Sequence, residues 1–329
     1  MRNHQIVGLV QGRAVIAAIV AGLLMAGCGS RPRQVWFAPD LGSADLLELF
    51  TRPEAWRQAR RSTDVFKFYV QQLVAERRSQ CPDCGPNVLL GLLGVQAFRR
   101  LESWRVAIAI EAGALKDYDC EGATTAEAAR IAIGNVSGGG GTVRYLSMDN
   151  PMVAIRTCAL DLGEAAARSA RFAKRLRTSY PALAVGESEP YPLFDVETIG
   201  RWITALKANG YVPAFVHLDV DRRYAAALRA DVPADLRALQ SSCEGQGIRF
   251  GVIVWGDVSE SDRAYYDSAR EWTTTVEGAI GQPAHTIFQS WAVSAEGTFT
   301  VPRNLPESEP YTHTRLINDG LSLLSAPLR

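Results

Sequence analysis

The chain has 329 residues, and its 35 Lys and Arg balance its 35 Asp and Glu, so the formal net charge at pH 7 is zero. Without a net positive field or a basic stripe along the sequence, the protein is not expected to bind nucleic acid. The length would suit two average domains, but a single α/β barrel also reaches about 250 residues and more. No linker interrupts the chain, and we therefore predict one domain.

The first residues have the pattern of an export signal. Arg2 and Arg13 precede an uncharged run over residues 14–27, which is shorter than the roughly 20 residues that a membrane span needs. The run ends in Leu-Met-Ala-Gly followed by Cys28, and this ending resembles a bacterial lipobox. The resemblance implies a signal peptide over residues 1–27 and a lipid on Cys28.

The residues that follow bear on where such a chain would be anchored. Residues 28–33 would form a short lipidated tether, with Gly29 and Ser30 after the cysteine. The absence of aspartate at the second mature position resembles lipoproteins of the outer membrane. We therefore expect an exported protein, anchored through its lipid to the bacterial cell envelope at the outer membrane. The alternative is an ordinary secretory signal in which Cys28 is incidental.

Eight short runs of apolar, β-branched and aromatic residues recur along the chain, and helix-like stretches separate most of them. The runs cover residues 35–38, 64–69, 106–111, 143–149, 183–187, 212–219, 248–255 and 285–291. Strands that alternate with helices favour a parallel sheet, and eight such units favour a closed barrel over an open sheet. No Gly-x-Gly-x-x-Gly follows the first strand, so a dinucleotide-binding fold loses its main support. We predict a single-domain (β/α)8 TIM barrel of the α/β class over residues 34–329, with no cofactor.

Two of the predicted helices are long. One covers residues 87–101, where leucines form a wide apolar stripe, and the other covers residues 153–179 and has basic residues in its last turns. Asp195 is the expected N-cap of the helix after strand five.

Five cysteines beyond residue 28 bear on the redox chemistry of the chain; they are Cys81, Cys84, Cys120, Cys158 and Cys243. An oxidising compartment favours disulfides, and an odd number leaves at least one thiol free. Cys81 and Cys84 have the spacing of a thioredoxin-type motif, but they follow the second strand and do not start a helix after the first. We therefore expect a structural bridge from this loop to Cys120, ahead of redox catalysis or a zinc site.

Carboxylates and aromatic residues follow the predicted strands at their C-terminal ends, where barrels of this kind place their active sites. Paired carboxylates are the recurring tool of glycoside hydrolysis, and flat aromatic faces suit the apolar face of a sugar ring. The alternative for any one of these residues is that the carboxylate caps a helix or pairs with an arginine, and that the aromatic ring packs in the core. The carboxylates are Glu111, Asp149, Glu187, Glu189, Asp219, Asp221 and Asp257, and the aromatic residues are Trp36, Tyr69, Tyr191, Trp255 and Trp291.

The sequence Met148-Asp149-Asn150-Pro151 resembles the end of strand four in the large clan of barrel glycosidases, whose Asn-Glu-Pro places the general acid before the proline. Asn150 stands at that position here and cannot donate an acid proton. Asp149 followed by Asp219 or Asp221 resembles instead the barrel glycosidases of the α-galactosidase type. That resemblance implies an aspartate nucleophile after strand four and an aspartate acid/base after strand six.

His217, Asp219 and Asp221 lie two residues apart, so an extended strand places them on one face. Three such groups could bind a divalent cation or transfer a proton, but Asp221 is also placed to cap the next helix, and we predict no metal site. Nearby, Glu187 and Glu189 precede a proline-fixed turn.

The sequence thus predicts a cell-envelope glycoside hydrolase that acts on a polysaccharide or glycoside, with the carbohydrate and the membrane as its partners. The alternative is a non-catalytic surface lipoprotein that binds carbohydrate or a protein, which the asparagine at position 150 favours. The expected catalytic residues are Asp149, Asp219, Asp221, Glu111 and Glu189, and the expected substrate-binding residues are Trp36, Tyr69, Glu187, Tyr191, His217, Trp255 and Trp291.

Overall fold

Eight parallel strands close into a barrel in the computed structural model, which describes residues 32–74, 88–257, 261–290 and 302–324. Each strand pairs with its neighbours in sequence, and β1 pairs with β8 to close the ring. The predicted (β/α)8 TIM barrel is therefore confirmed. The strands are β1 Gln34–Ala38, β2 Val65–Tyr69, β3 Ala107–Gly113, β4 Val143–Asp149, β5 Ala184–Tyr191, β6 Phe215–Val220, β7 Arg249–Val254 and β8 His285–Gln289.

Helices cover the outside of the barrel, and their apolar faces pack against the outward side chains of the strands. Asp195 caps the helix after β5 as predicted, since its carboxylate accepts a hydrogen bond from the Thr198 amide at 2.8 Å. The helices are α1 Glu48–Thr51, α2 Arg57–Ser62, α3 Val70–Leu73, α4 Leu89–Gly94, α5 Ala97–Trp104, α6 Ala123–Gly138, α7 Ala154–Thr157, α8 Leu162–Ser179, α9 Val196–Ala208, α10 Arg222–Leu228, α11 Val232–Glu244, α12 Asp262–Ile280 and α13 His313–Leu324. None of the helices in the described residues is long and apolar enough to cross a membrane.

The two long helices of the sequence prediction are each interrupted. The stretch 153–179 is divided between α7 and α8, because Ala159 has a φ of 51° and the side chain of Asp161 caps the start of α8. The described part of the stretch 87–101 is likewise divided between α4 and α5, where Gln96 has a φ of 54°. A residue in the left-handed region cannot continue a right-handed helix.

Trp36 fills the interior of the barrel and does not reach its mouth, where the sequence analysis placed it. The residue is fully buried and pairs with Val65 of β2 and Ile287 of β8. Lys67 and Gln289 lie two residues further along those strands, so the indole lies one layer closer to the N-terminal end than these polar side chains. Trp36 is therefore a core residue, and the prediction that it binds substrate does not fit its position.

A buried pair of histidines occupies the same layer. His217 Nε2 lies 2.8 Å from His285 Nδ1, and both rings pack against the Trp36 indole, with centroid distances of 4.9 and 5.0 Å. Gly251 allows this approach, because a Cβ there would lie 2.7 Å from His217 and 2.8 Å from His285. Burial lowers the pKa of His285 to about 3 and, together with the charge of His285, lowers the pKa of His217 well below its usual value. His217 is thus a neutral core residue and was misplaced as a substrate contact.

Candidate functional site

A buried lysine organises the centre of the barrel mouth. The Lys67 ammonium is fully buried, forms an ion pair with Glu111 and donates to Gln289 Oε1 at 2.5 Å. The Gln289 amide nitrogen lies 3.2 Å from the Tyr69 hydroxyl and 3.3 Å from the Glu111 carboxylate. Tyr69 in turn donates to the Ser290 carbonyl at 2.9 Å. The carboxylate of Glu111 is therefore held in one place from several sides.

Asp149 ends β4 at the rim and forms an ion pair with Lys116, whose Nζ lies 2.6 Å from Asp149 Oδ2. The two side chains are 34% and 27% exposed, so the pair is open to solvent. Burial lowers the pKa of Lys116, but the charge and hydrogen bond of Asp149 outweigh it and raise the pKa overall. The ion pair thus places the Lys116 ammonium against Asp149 at the rim of the mouth.

Asp219 lies near the end of β6, facing the mouth, and accepts a hydrogen bond from the Trp255 indole nitrogen at 3.0 Å. Burial, followed by the negative charge of Glu111, raises the pKa of Asp219 to about 7, and the charge of Asp149 acts in the same direction. The Trp255 hydrogen bond and the Lys67 ammonium oppose this shift. The pKa of Asp219 therefore lies near neutrality, and the residue stands beside carboxylates that are paired with lysines.

Three carboxylates that the sequence placed together, Glu111, Asp149 and Asp219, thus meet at the mouth, whereas Asp221 does not. Asp221 is exposed and caps α10, since its Oδ1 accepts from the Tyr224 amide at 2.8 Å. In the part of the chain that the structure describes, no group of three or more His, Cys, Asp or Glu side chains is arranged to hold a metal ion.

Glu187, Glu189 and Tyr191 lie on the outer face of β5 and not in the mouth. Gly186 faces inward, because a Cβ there would lie 2.5 Å from the Phe215 ring, and the alternation of a strand then directs the three residues toward the helices. Glu187 accepts from the Trp202 indole of α9 at 3.0 Å, and Tyr191 donates to Asp235 of α11. Tyr191 is thus a packing residue, and neither Glu187, which was predicted to bind substrate, nor Glu189, which was predicted to be catalytic, points into the mouth.

Glu187 and Glu189 are both fully buried. Burial raises the pKa of both carboxyls, and the charge of Glu187 raises that of Glu189 further. A carboxyl whose pKa is raised by folding binds its proton more tightly in the folded state than in the unfolded state. The free energy of unfolding therefore falls as the pH rises from the unfolded-state pKa through the folded-state pKa. The layer between β5 and α9 is therefore expected to weaken as the pH rises from about 4.5 toward about 8.

Glu187→Gln tests this expectation. The amide oxygen can still accept from Trp202, but the side chain cannot ionise, so the variant should melt close to wild type at about pH 4 and several degrees above it at about pH 9. Thermal unfolding followed by circular dichroism at both pH values measures the difference. Glu197→Gln, an exposed change on α9, is the matched control and should show no such pH dependence. Parallel melting curves for wild type and Glu187→Gln at all pH values would contradict the expectation.

Asn150 has a structural reason to be present before the proline. Its φ is 48°, in the left-handed region that asparagine tolerates better than most residues, and the 3₁₀ turn Pro151–Val153 follows it. The backbone N–H of Asn150 donates to the Ser188 carbonyl at 3.1 Å. The asparagine thus turns the chain sharply at the end of β4, just beyond Asp149.

The loop that carries Lys116 is closed by a disulfide between Cys120 and Cys158, 38 residues apart in sequence. The predicted bridge from Cys120 to the Cys81 and Cys84 loop is therefore wrong, and those two cysteines lie outside the described residues. Cys243 is unpaired and buried in α11, and burial raises the pKa of its thiol to about 12. The bridge joins the loop after β3 to the segment after β4, on either side of the Lys116 and Asp149 pair.

Sequence reasoning missed the two lysines and Tyr118. Lys67 lies between Val65 and Tyr69 on the inward face of an otherwise apolar strand, and a lysine at such a position signals a buried partner. Tyr118 is 48% exposed on the same loop as Lys116, at the rim beside Asp149. Of the residues predicted from sequence, Trp291 and Cys28 lie outside the described part of the chain.

No family model and no curated protein matches this chain. Among solved structures, a similar chain is titled "QR15, an Aldolase", with a TM-score of 0.42 and 11% sequence identity over 78% of this chain and 88% of that one. The similarity is one of the (β/α)8 barrel fold.

Proposed function

We propose that this barrel is a glycoside hydrolase of the cell envelope that acts on a polysaccharide or glycoside. Asp149 is its nucleophile or charge stabiliser, and Asp219 is its general acid/base. The negative charge of Glu111 raises the pKa of Asp219. The observation that carries the proposal is that Asp219, with a pKa raised to about 7, lies beside Glu111 and Asp149, each paired with a lysine.

This division suits glycosidic bond cleavage, because one carboxyl must donate a proton while another is charged. Burial and neighbouring negative charge favour the protonated form of Asp219. Asp149 instead forms an ion pair with the ammonium of Lys116, at 2.6 Å. Asp149 ends strand four and Asp219 lies on strand six. These are the positions of the nucleophile and the acid/base in the barrel glycosidases of the α-galactosidase type, which the sequence resembles.

Aromatic surface is available at the same end of the barrel. Trp255 is half-buried beside Asp219, Tyr69 is half-buried in the mouth, and Tyr118 is exposed at the rim. Such rings suit the apolar faces of sugars. They support a carbohydrate as the ligand of the mouth.

The second candidate is a non-catalytic lipoprotein that keeps the barrel and binds carbohydrate or a protein. Asn150, which stands where the larger clan has its acid, favours it, as do the lysines that already neutralise Glu111 and Asp149. Binding of an oligosaccharide without any turnover, measured by calorimetry and by product analysis, would support this candidate over hydrolysis.

The proposed acid predicts the pH dependence of the reaction. kcat/KM for a glycoside with a poor leaving group should be constant below neutrality and fall about tenfold per unit as pH rises above about 7, because Asp219 loses the proton that it must donate. A pH profile measured on whichever substrate a panel of oligosaccharides identifies would test it. A profile that stays flat to about pH 9 would contradict the role of Asp219.

Substrates with different leaving groups separate the two aspartates. Asp219→Asn should lose hydrolysis of an unactivated oligosaccharide but keep the first release of dinitrophenolate from an activated glycoside, which needs no proton. Asp149→Asn should lose both. Equal loss on both substrates in the two variants would reject the assigned roles.

We also propose that the chain is exported and anchored at the outer membrane through a lipid on Cys28. The lipobox-like sequence supports this proposal, and the Cys120–Cys158 disulfide suits an oxidising compartment. Incorporation of labelled palmitate that disappears in Cys28→Ser would test it.

A further inference from the structure

Arg222, the first residue of α10, holds the segment that follows β7 in place. Its guanidinium donates to the Trp255 carbonyl at 2.8 Å and to the Ser268 carbonyl of α12 at 2.7 Å. It also forms an ion pair with Asp257 at 2.9 Å, where both side chains are largely buried. One side chain therefore ties the Trp255 backbone and the Asp257 side chain to α12.

The same guanidinium lies against two indole rings, 5.8 Å from the ring centroid of Trp255 and 5.6 Å from that of Trp272. Gly256 lets the segment approach α12 closely, since a Cβ there would lie 2.3 Å from the Tyr265 carbonyl oxygen. The ring of Trp255 is thus fixed through its own backbone and through the cation beside it.

Trp255 connects this arrangement to the mouth, because its indole nitrogen donates to Asp219 Oδ1 at 3.0 Å. We infer that Arg222 is a positioning residue for Asp219, and that by fixing Trp255 against α12 it keeps the indole N–H on the Asp219 carboxyl. The inference rests on the proposed function where it treats Asp219 as the acid, but the contact itself can be measured without any substrate.

The consequence is a change in the titration of Asp219. The charged groups that face its carboxyl are Glu111, Asp149 and Lys67, and the indole N–H stabilises the ionised form against the two acids. Loss of a hydrogen bond to the ionised form raises the pKa of a carboxyl. A variant that releases Trp255 should therefore bind the Asp219 proton more tightly, while the three charged neighbours are unchanged.

The test is a carboxyl-carbon NMR titration of the purified full chain without ligand, in which Asp219→Asn identifies the resonance. Arg222→Ala and Trp255→Phe should each raise the titration midpoint of Asp219 by about 0.5–1 pH unit, a threefold to tenfold change in proton affinity. The double variant should shift it no further than either single change, because both act through one contact. Arg222→Lys, which keeps the charge but not the forked hydrogen bonds, should lie between wild type and Arg222→Ala.

Arg223→Ala is the matched control, since Arg223 is the exposed neighbour on the same helix. It should leave the titration of Asp219 unchanged. If Arg222→Ala does not fold, Arg222→Lys and Trp255→Phe still decide the matter.

The inference is overturned if Trp255→Phe shifts the midpoint but the folded arginine variants do not, or if Trp255→Phe itself has no effect. Failure of the proposed function gives a different result. In that case wild type hydrolyses no glycoside, while the shifts of the Asp219 resonance remain.

Discussion

Asp149→Asn is expected to reduce turnover roughly a thousandfold or more while leaving the melting temperature within a few degrees of wild type. The activity falls because an amide neither attacks nor stabilises a developing positive charge as a carboxylate does. The stability changes little because the ion pair with Lys116 is about one-third exposed, and such pairs contribute about 0–1 kcal/mol. Single-turnover kinetics and thermal unfolding of the same preparation measure both quantities.

Asp267→Asn is the matched control, because Asp267 forms an exposed ion pair with Arg263 on α12. It should leave both turnover and melting temperature near those of wild type. A large fall in the melting temperature of Asp149→Asn with hydrolysis intact would assign Asp149 a structural role. That result would remove the main support of the hydrolase proposal.

Glu111→Gln is expected to have the larger effect on folding, about 3–5 kcal/mol of the free energy of unfolding. The Lys67 ammonium has no exposed surface, so removal of its charged partner leaves a buried cation without compensation. The same change removes the negative charge that most raises the pKa of Asp219 after burial, so the midpoint of Asp219 should fall in the folded variant. Urea denaturation and the NMR titration measure the two effects.

Glu127→Gln provides the comparison, since Glu127 forms an ion pair with Arg130 in which both side chains are more than half exposed. It should lower the free energy of unfolding far less than Glu111→Gln does, because solvent screens an exposed pair. Replacement of both buried partners, as Lys67→Met with Glu111→Leu, should recover most of the stability lost in Glu111→Gln, because no buried charge remains. Equal losses in Glu111→Gln and Glu127→Gln would contradict this account.

The barrel and the strand ends were predictable because they depend on local patterns. Each buried strand of a parallel barrel is a short apolar run, and the residue at its C-terminal end must lie near the mouth. Glu111, Asp149 and Asp219 were found in this way. Lys116, the partner of Asp149, was not found, since it lies in a loop whose path depends on a distant cysteine and a turn.

The side chains of β5 show that a position near the C-terminal end of a strand does not by itself place a residue in the mouth. Gly186 and Ser188 face inward, so Glu187 and Glu189 face the helices, although both precede the end of the strand. The alternation of small and large residues in Val185 to Tyr191 indicated this, because small residues suit the crowded side of a strand. The prediction for Asp221 was wrong for a different reason. The residue lies one position beyond β6, where α10 begins, and its side chain caps the N-terminus of that helix.

Because of the Cys120–Cys158 disulfide, the activity of a preparation should depend on whether the protein was made in a reducing or an oxidising compartment. The strands of the barrel need no covalent link, so a chain synthesised in a reducing cytosol should still complete its sheet. Its Lys116 loop, however, would be tied down only by contacts such as that of Arg168 with the Cys120 carbonyl, at 3.1 Å. Two batches with the same far-ultraviolet spectrum would then differ in how firmly the ammonium is held over Asp149. A count of free thiols before each assay would tell such batches apart.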